Sequence, residues 1–247
     1  MIALFRIELL KLRTTPAGYV ALALALFMTL ASVLTTILLA GQPGTTPVGS
    51  VDNVSHVLAI GVVTSSSMLI LGVMLAAGED RHRTSLGTYL AEPRRGRVML
   101  AELLTAAVVG AVGGAVVFGL DLAIAVPVYG ARGVHHLPVD VASLWIGTTL
   151  LTACFGLLGV ALGALTRNTV AAIIGALVWG AVIELSVLKP LFPSLAKWLP
   201  TGAAVSLTTA TDHSALLPPT VAALVLVGWA TVIALVAARI TLRRELR

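Results

Sequence analysis

The sequence has few charged residues, few aromatic residues and almost no cysteine. Only 11% of its 247 residues are charged and 5% are aromatic, whereas about 25% are charged in a typical globular domain. The single cysteine, Cys154, cannot form an internal disulfide, and no cysteine cluster has the spacing of zinc ligands. Together with the apolar runs described below, these absences exclude soluble enzymes, coiled coils, disordered proteins and disulfide-rich secreted modules.

The sequence also lacks a nucleotide-binding motif. No Gly-x-x-x-x-Gly-Lys-Ser/Thr phosphate-binding loop occurs in it, so we expect this chain to bind no nucleotide and no other cofactor itself. A metal site is not indicated either. His135 and His136 are adjacent and point in different directions on a regular element, so further ligands would have to come from elsewhere.

What the sequence does have is long apolar runs. Hydrophobic residues make up 58% of the chain, and the mean hydropathy is +1.01. Each run is long enough to cross roughly 30 Å of hydrocarbon at about 1.5 Å per residue. The sequence therefore predicts an all-α polytopic membrane protein with six transmembrane helices, at about residues 17–39, 54–77, 99–126, 143–165, 170–188 and 219–238.

The positions of the basic residues predict the orientation of the chain. Of the 16 lysines and arginines, only Arg132, Lys189 and Lys197 fall in the loops on one side of the predicted spans. Short loops rich in Lys and Arg stay cytoplasmic. We therefore expect a multi-pass protein of the cell membrane with both termini in the cytoplasm. This topology accounts for the basic pI without nucleic acid as a partner.

Two segments flank or interrupt the spans. Residues 1–16 predict an amphipathic helix lying on the lipid bilayer surface, because Ile2, Phe5, Leu9 and Leu12 recur at helical spacing. Residues 17–247 form the transmembrane domain. Within it, the proline-rich stretch 189–217 predicts short or re-entrant helices that cap the outer side, with a flexible loop as the alternative.

The most informative stretch is residues 78–98, between the second and third predicted spans. It begins with a run of charged residues, continues as a short semi-polar segment, and ends in Pro93-Arg94-Arg95-Gly96-Arg97. Glu79 and Arg83 are four residues apart and can pair along a helix. The residues alone indicate either a compact charged element on which a soluble partner could push, or a solvated positive loop.

This stretch resembles the first cytoplasmic loop of ATP-binding-cassette export permeases of the type-2 exporter class, in particular the small six-span permeases of actinobacteria. Those permeases show an acidic residue, an Arg-His-Gly-Thr-like stretch, a Pro-Arg-Arg-x-Arg run and an Ala-Lys opening of the third span. Arg83 departs from the usual Gly, and Glu102 from the usual Lys. The matching positions are Glu79, Arg81, His82, Thr84, Pro93, Arg94, Arg95, Arg97 and Ala101. The turn at 165–168 and the stretch 198–202 extend the resemblance more weakly.

The resemblance implies a permease subunit that is not itself an enzyme. The loop would form a coupling helix seated in a groove of a cytoplasmic ATP-binding subunit, which would hold the ATP and Mg²⁺. A second permease subunit, identical or paralogous, would complete the transporter. The residues assigned to ATPase coupling are Glu79, Asp80, Arg81, His82, Arg83, Thr84, Pro93, Arg94, Arg95 and Arg97.

A second set of polar residues is a candidate for a transport path or gate. Asp121 and Glu184 lie within apolar runs, where carboxylates are functional candidates by default. By the predicted topology both lie toward the outer ends of their spans, where they could instead reach interfacial water or a polar loop. Ser65 and Ser66 belong to a hydroxyl-bearing band in the second span and can bond back to their own helix. Trp198 and Pro200 lie in the capping segment.

Close helix packing is predicted at two small-residue patterns, Gly110-x-x-x-Gly114 and Gly159-x-x-x-Gly163.

Two other classes of function are alternatives to an exporter. A membrane-embedded enzyme would need facing catalytic groups, and no histidine within a later span completes a site. A secondary transporter would usually show internal repeats and broken helices. An exporter of an amphipathic drug, peptide or lipid is the expected function.

Overall fold

The computed structural model describes residues 2–14, 16–39, 46–59, 61–82, 95–210 and 216–244, and within these ranges every regular element is helical. The first six helices are α1 (Ile2–Thr14), α2 (Pro16–Leu39), α3 (Val51–Leu58), α4 (Gly61–His82), α5 (Arg95–Ala131) and α6 (Val141–Thr166). Helix α7 (Thr169–Leu177) continues into a π-helical segment, Val178–Leu188. The remaining helices are α8 (Lys189–Leu191), α9 (Pro193–Ala196), α10 (Pro200–Thr208) and α11 (Pro219–Arg244).

Five helical stretches are long and apolar enough to cross a membrane, which is the architecture of a helical membrane protein. They coincide with the second to sixth predicted spans and run over Val51–Ala77, Gly96–Ala131, Val141–Thr166, Thr169–Leu191 and Pro219–Arg243. The first predicted span coincides with α2, where the described apolar stretch is only Leu26–Thr35. Five candidate spans are therefore found among the described residues, and the sixth stays a prediction.

Two predicted spans differ in detail from the structure. The second begins earlier than expected because Ser50 caps α3, its hydroxyl accepting the backbone N–H of Asn53 at 3.2 Å. Helix α3 then ends at Leu58, and α4 begins at Gly61, so this span consists of two helices. The third continues through Pro127 to Ala131. Pro127 is exposed, so its ring does not disturb the packing of the bundle.

Helix α6 lies at the centre of the bundle and packs against α4, α5 and α11. The two small-residue patterns permit this packing, which confirms that part of the sequence analysis. A Cβ on Gly110 would lie 2.5 Å from the carbonyl oxygen of Thr152, and a Cβ on Gly159 would overlap the carbonyl oxygen of Leu69. Side chains larger than hydrogen would therefore force α6 away from both neighbours.

The turn between α6 and α7 is defined by two adjacent residues. Arg167 adopts a left-handed conformation with φ of 51° and ends α6. The carboxamide oxygen of Asn168 then accepts the backbone N–H groups of Val170 and Ala171, both at 3.1 Å, and so caps α7. This is the turn that the sequence places between the fourth and fifth spans.

Helix α1 packs against α2 and α5. Leu12 joins a small cluster with Leu75 of α4 and Leu103 of α5, whereas Ile7 and Leu10 of α1 are exposed. At Leu12, the apolar stripe predicted for α1 thus faces the bundle. A position on the bilayer surface stays a prediction.

Candidate functional site

A partly open cavity of about 660 Å³ lies between α4, α6, the α7–π-helical stretch, α10 and α11. This volume is within the range of about 300–1,000 Å³ that is typical of small-molecule sites. Apolar side chains such as Leu69, Phe155 and Leu158 form most of the wall, with the indoles of Trp179 and Trp229 beside them. Among the described residues of the wall, Glu184 is the only one whose side chain can carry a full charge at neutral pH.

Glu184 is held between the π-helical segment and α10. Its side chain is only 2% exposed, and its Oε2 accepts the backbone N–H of Thr201 at 2.8 Å. Thr201 is the second residue of α10. Leu199, which precedes the helix, has no side chain able to cap it. The carboxylate therefore serves as the N-terminal cap of α10, a position that favours negative charge.

The second carboxyl oxygen of Glu184 is not satisfied in this way. The side chains of Trp179 and Thr201 and the backbone of Gly202 also approach the carboxyl group, but none of them forms a hydrogen bond of good geometry with Oε1 in the described part of the chain. An ionised Oε1 lacks a donor, and a protonated Oε1 would lack an acceptor. In either protonation state one polar atom beside the cavity is left unsatisfied.

Most other polar groups around the cavity are already engaged. The hydroxyls of Ser66 and Thr166 bond back to carbonyl oxygens of their own helices, Val62 at 3.3 Å and Leu162 at 2.9 Å. The indole N–H of Trp229 donates to the carbonyl oxygen of Trp198 at 2.9 Å. Glu184 Oε1 is thus a buried oxygen without a hydrogen-bond partner among the described residues, in a side chain that belongs to a mostly apolar wall.

The structure brings together only some of the predicted path residues. Ser66, Glu184 and Pro200 line the cavity, whereas Ser65, Asp121 and Trp198 do not. Ser65 is buried and its hydroxyl donates to the carbonyl oxygen of Val62 at 2.7 Å. Whether any of these residues contributes to transport stays a prediction.

Asp121 occupies a different part of the bundle. It is fully buried, and both of its carboxyl oxygens lack hydrogen-bond partners among the described residues. Phe118 and Tyr129, on the same face of α5, belong to a buried cluster that includes residues of α3 and Leu144 of α6. The Tyr129 hydroxyl donates to the side-chain oxygen of Asn53 at 2.7 Å.

The charged stretch 78–98 is described only at its two ends. The backbone of Glu79, Asp80, Arg81 and His82 continues α4, and that of Arg95 and Arg97 begins α5. Arg83, Thr84, Pro93 and Arg94 lie outside the described residues, as does any separate coupling helix between them. The assignment of these residues to ATPase coupling therefore stays a prediction.

Sequence reasoning missed three features of the cavity wall: Trp179, Trp229 and the π-helical geometry. It singled out Glu184 but not its contact with Thr201. One local signal was available, because an apolar residue followed by proline at the start of α10 leaves the helix without a side-chain cap. The acceptor for the unpaired N–H groups at the start of α10 therefore has to come from elsewhere in the fold.

Neither a protein-family model nor a curated protein matches this chain. The geometry itself offers an apolar cavity of drug-like size with one buried carboxyl group. Within the described residues, no three His, Cys, Asp or Glu side chains are grouped so that they could hold a metal ion. The volume and the lining of the cavity are those typical of sites for small apolar molecules.

Proposed function

We propose that this chain is the membrane-spanning permease subunit of an ATP-driven exporter that moves an amphipathic molecule by alternating access. The energy would come from a separate cytoplasmic ATP-binding subunit, since the sequence has no phosphate-binding loop of its own. A second permease subunit, identical or paralogous, would complete a six-span half-transporter. The resemblance of residues 78–98 to coupling loops supports this assignment.

One structural observation carries the proposal. Helix α4 runs without interruption from Gly61 to His82. Ser66, near its start, lines the cavity, and Glu79, near its end, opens the charged stretch. The thirteen residues from Ser66 to Glu79 span about 20 Å of helix. A force applied to the charged stretch would therefore reach the cavity wall through one continuous helix.

Helix α5 supports the same mechanism from the other end of the charged stretch. It begins at Arg95 and packs closely on α6 through Gly110 and Gly114. Because closely packed helices move together rather than deform, a displacement of the charged stretch would shift α4 and α5 against α6. The cavity between α4, α6 and α11 would change its shape as a result.

Co-purification tests the proposal directly. The tagged full-length chain would be purified in mild detergent from its native membrane, and ATP hydrolysis would be measured on the material that is recovered. We expect an ATP-binding subunit at a stoichiometric ratio. Recovery of the chain alone, without ATP hydrolysis, would contradict the proposal.

Substitutions in the charged stretch test the coupling role. Glu79→Ala and Arg81→Ala should lower transport severalfold while leaving membrane insertion unchanged, because they remove charges from the surface that the ATPase would contact. Arg97→Ala, at the start of α5, should lower transport as well, because the resemblance also assigns coupling there. Wild-type transport in all three variants would remove the coupling assignment.

Accessibility labelling tests the predicted topology. His135 lies in the loop between α5 and α6 and Gly96 in the first turn of α5; both are exposed, and the basic-residue distribution places them on opposite sides. A cysteine at position 135 should react with a membrane-impermeant thiol reagent added outside, and a cysteine at position 96 should not. The native Cys154 is 3% exposed and should stay unlabelled. The reverse pattern would invert the topology.

A secondary transporter is the second candidate, and two observations favour it. The span Val51–Ala77 is divided into α3 and α4, and Asp121 is buried without a partner among the described residues. Divided helices and buried carboxylates are both common in ion-coupled transporters. Transport by the chain alone, driven by an ion gradient and abolished by Asp121→Asn, would favour this candidate.

A further inference from the structure

The cavity described above carries information about the charge of its occupant. Its wall contains Glu184 and no lysine, arginine or histidine among the described lining residues. A buried carboxylate without a cationic partner is unfavourable in an apolar surrounding. An occupant that brings a positive charge would remove this deficit, whereas an anionic occupant would increase it.

The hydrogen-bonding geometry points to the same chemistry. Oε2 of Glu184 is occupied by the N–H of Thr201, while Oε1 remains without a donor in the described part of the chain. The neighbouring hydroxyl of Ser66 already bonds back to its own helix. A protonated amine could donate to Oε1 in a charge-assisted hydrogen bond, which is about twice as strong as a neutral one.

The remainder of the wall suits the apolar body of such a molecule. The indole rings of Trp179 and Trp229 line the cavity, and aromatic faces attract ammonium groups as well as apolar surface. A phospholipid headgroup is disfavoured, because its phosphate would lie near a carboxylate with no basic side chain to neutralise it. The wall is therefore suited to a small molecule with a single positive charge.

Building on the transport function proposed above, we propose that this cavity binds a lipophilic amine, with its ammonium group on Glu184 and its apolar body against the indoles of Trp179 and Trp229. This assignment names the class of cargo for the site. Glu184 would contact the cargo directly while keeping α10 in place through Thr201.

A matched pair of fluorescent ligands tests the charge requirement. Dansylcadaverine carries a primary ammonium on a five-carbon chain, and the corresponding alcohol has a hydroxyl at the same place. Binding of each to the purified full-length chain in lipid nanodiscs would be measured by dansyl fluorescence. We expect the ammonium ligand to bind at least about tenfold more tightly than the alcohol, as for other desolvated charge pairs.

Substitution of Glu184 tests whether its carboxyl group causes the preference for the ammonium ligand. Glu184→Gln keeps an acceptor for the Thr201 N–H but removes the charge, so it should lower affinity for the ammonium ligand at least about tenfold and leave the alcohol unchanged. Asp121→Asn is the matched control, since Asp121 is another buried carboxyl group within a span and does not line the cavity. Its affinity for both ligands should equal that of the wild type.

A blocking variant tests the location without altering Glu184. Gly175 lines the cavity, and a Cβ there would meet nothing within 4 Å. Gly175→Leu should therefore fill part of the cavity and weaken both ligands severalfold. Gly228→Leu is the control, because Gly228 has equally open surroundings but lies outside the cavity wall.

The outcomes separate this proposal from the proposed function. Equal affinity for the two ligands, an equal loss of both in Glu184→Gln, or an equal loss of the ammonium ligand in Asp121→Asn would each overturn it. If Glu184→Gln does not fold, the preference of the wild type for the ammonium ligand and the result for Gly175→Leu still test the proposal. Because binding is measured without the ATPase, a negative result here leaves the co-purification test unaffected.

Discussion

Helix α6 takes part both in close helix contacts and in the wall of a cavity. At the contacts, Gly110 of α5 and Gly159 of α6 bring helix backbones together. At the cavity of about 660 Å³, Phe155, Leu158 and Leu162 form part of the wall. The same helix thus contributes to closely packed interfaces and to an open one. Small residues permit the first, while large apolar residues line the second.

Two of the buried carboxyl groups differ in their surroundings. Asp121 lies on the α5 face that packs against α3, away from the cavity, and its carboxyl oxygens have no hydrogen-bond partner among the described residues. Glu184 lies beside the cavity and caps α10. We expect the closely packed contacts to hold the bundle together and the cavity region to contribute less to stability. The following substitutions test that division, beginning with the largest expected effect.

Gly159→Leu should have the largest effect. The new side chain would overlap the carbonyl oxygen of Leu69 in α4, and overpacking of a close interface costs about 1–3 kcal/mol or more. Unfolding in a titration with denaturing detergent should begin at a much lower concentration than in the wild type. Gly228→Leu, in open surroundings, should unfold like the wild type. Similar curves for both variants would show that the α4–α6 contact is not close.

The two carboxyl groups should respond in opposite directions to apolar substitution. Asp121→Val removes a buried group without a partner and should raise the free energy of unfolding by about 1–2 kcal/mol. Glu184→Leu leaves the N–H of Thr201 unpaired and should lower it by about 1 kcal/mol. The same detergent titration measures both. A loss of stability in Asp121→Val would reveal a partner for Asp121, such as a bound ion or water.

Tyr129→Phe should lower the free energy of unfolding by about 1–2 kcal/mol. It removes the buried hydrogen bond to Asn53 and leaves the Asn53 oxygen without that donor. Tyr19→Phe, at a tyrosine that is 59% exposed, is the control and should change nothing. If both variants unfold alike, this bond does not help to hold α3 on α5.

Trp229→Phe should have the smallest effect, below about 1 kcal/mol. It removes the hydrogen bond from the indole to the Trp198 carbonyl, which lies in exposed surroundings on the open side. Its melting temperature should therefore fall less than that of Tyr129→Phe. A larger fall would mean that the Trp229–Trp198 hydrogen bond beside the cavity contributes as much to stability as the buried Tyr129–Asn53 hydrogen bond.

The sequence predicted the helices well because hydropathy acts locally. The apolar runs coincided with α2, α3–α4, α5, α6, α7 with the π-helical segment, and α11, and the glycine patterns predicted where helices would approach closely. The sequence analysis placed the start of α3 too late, although Ser50 is a typical N-terminal cap. It ended the third span before Pro127, whereas α5 continues through Pro127 to Ala131.

The candidate site was only partly predictable. A carboxylate within an apolar run identified Glu184, and the stretch 198–202 drew attention to Pro200. Nothing local predicted the π-helical segment Val178–Leu188 or the division between α3 and α4. Both depend on how a helix fits against its neighbours, and no pattern along one helix records that fit.

The sequence by itself determined that this chain is helical and apolar enough for a membrane, approximately where its long apolar helices lie, and which glycines bring helices together. Each of these follows from residues that are close in the chain. Only the tertiary structure decided that Glu184 accepts the N–H of Thr201, seventeen residues away, and that Asp121 does not line the same cavity. These positions depend on the packing of whole helices around α6. That packing sets long-range distances, which local composition does not determine.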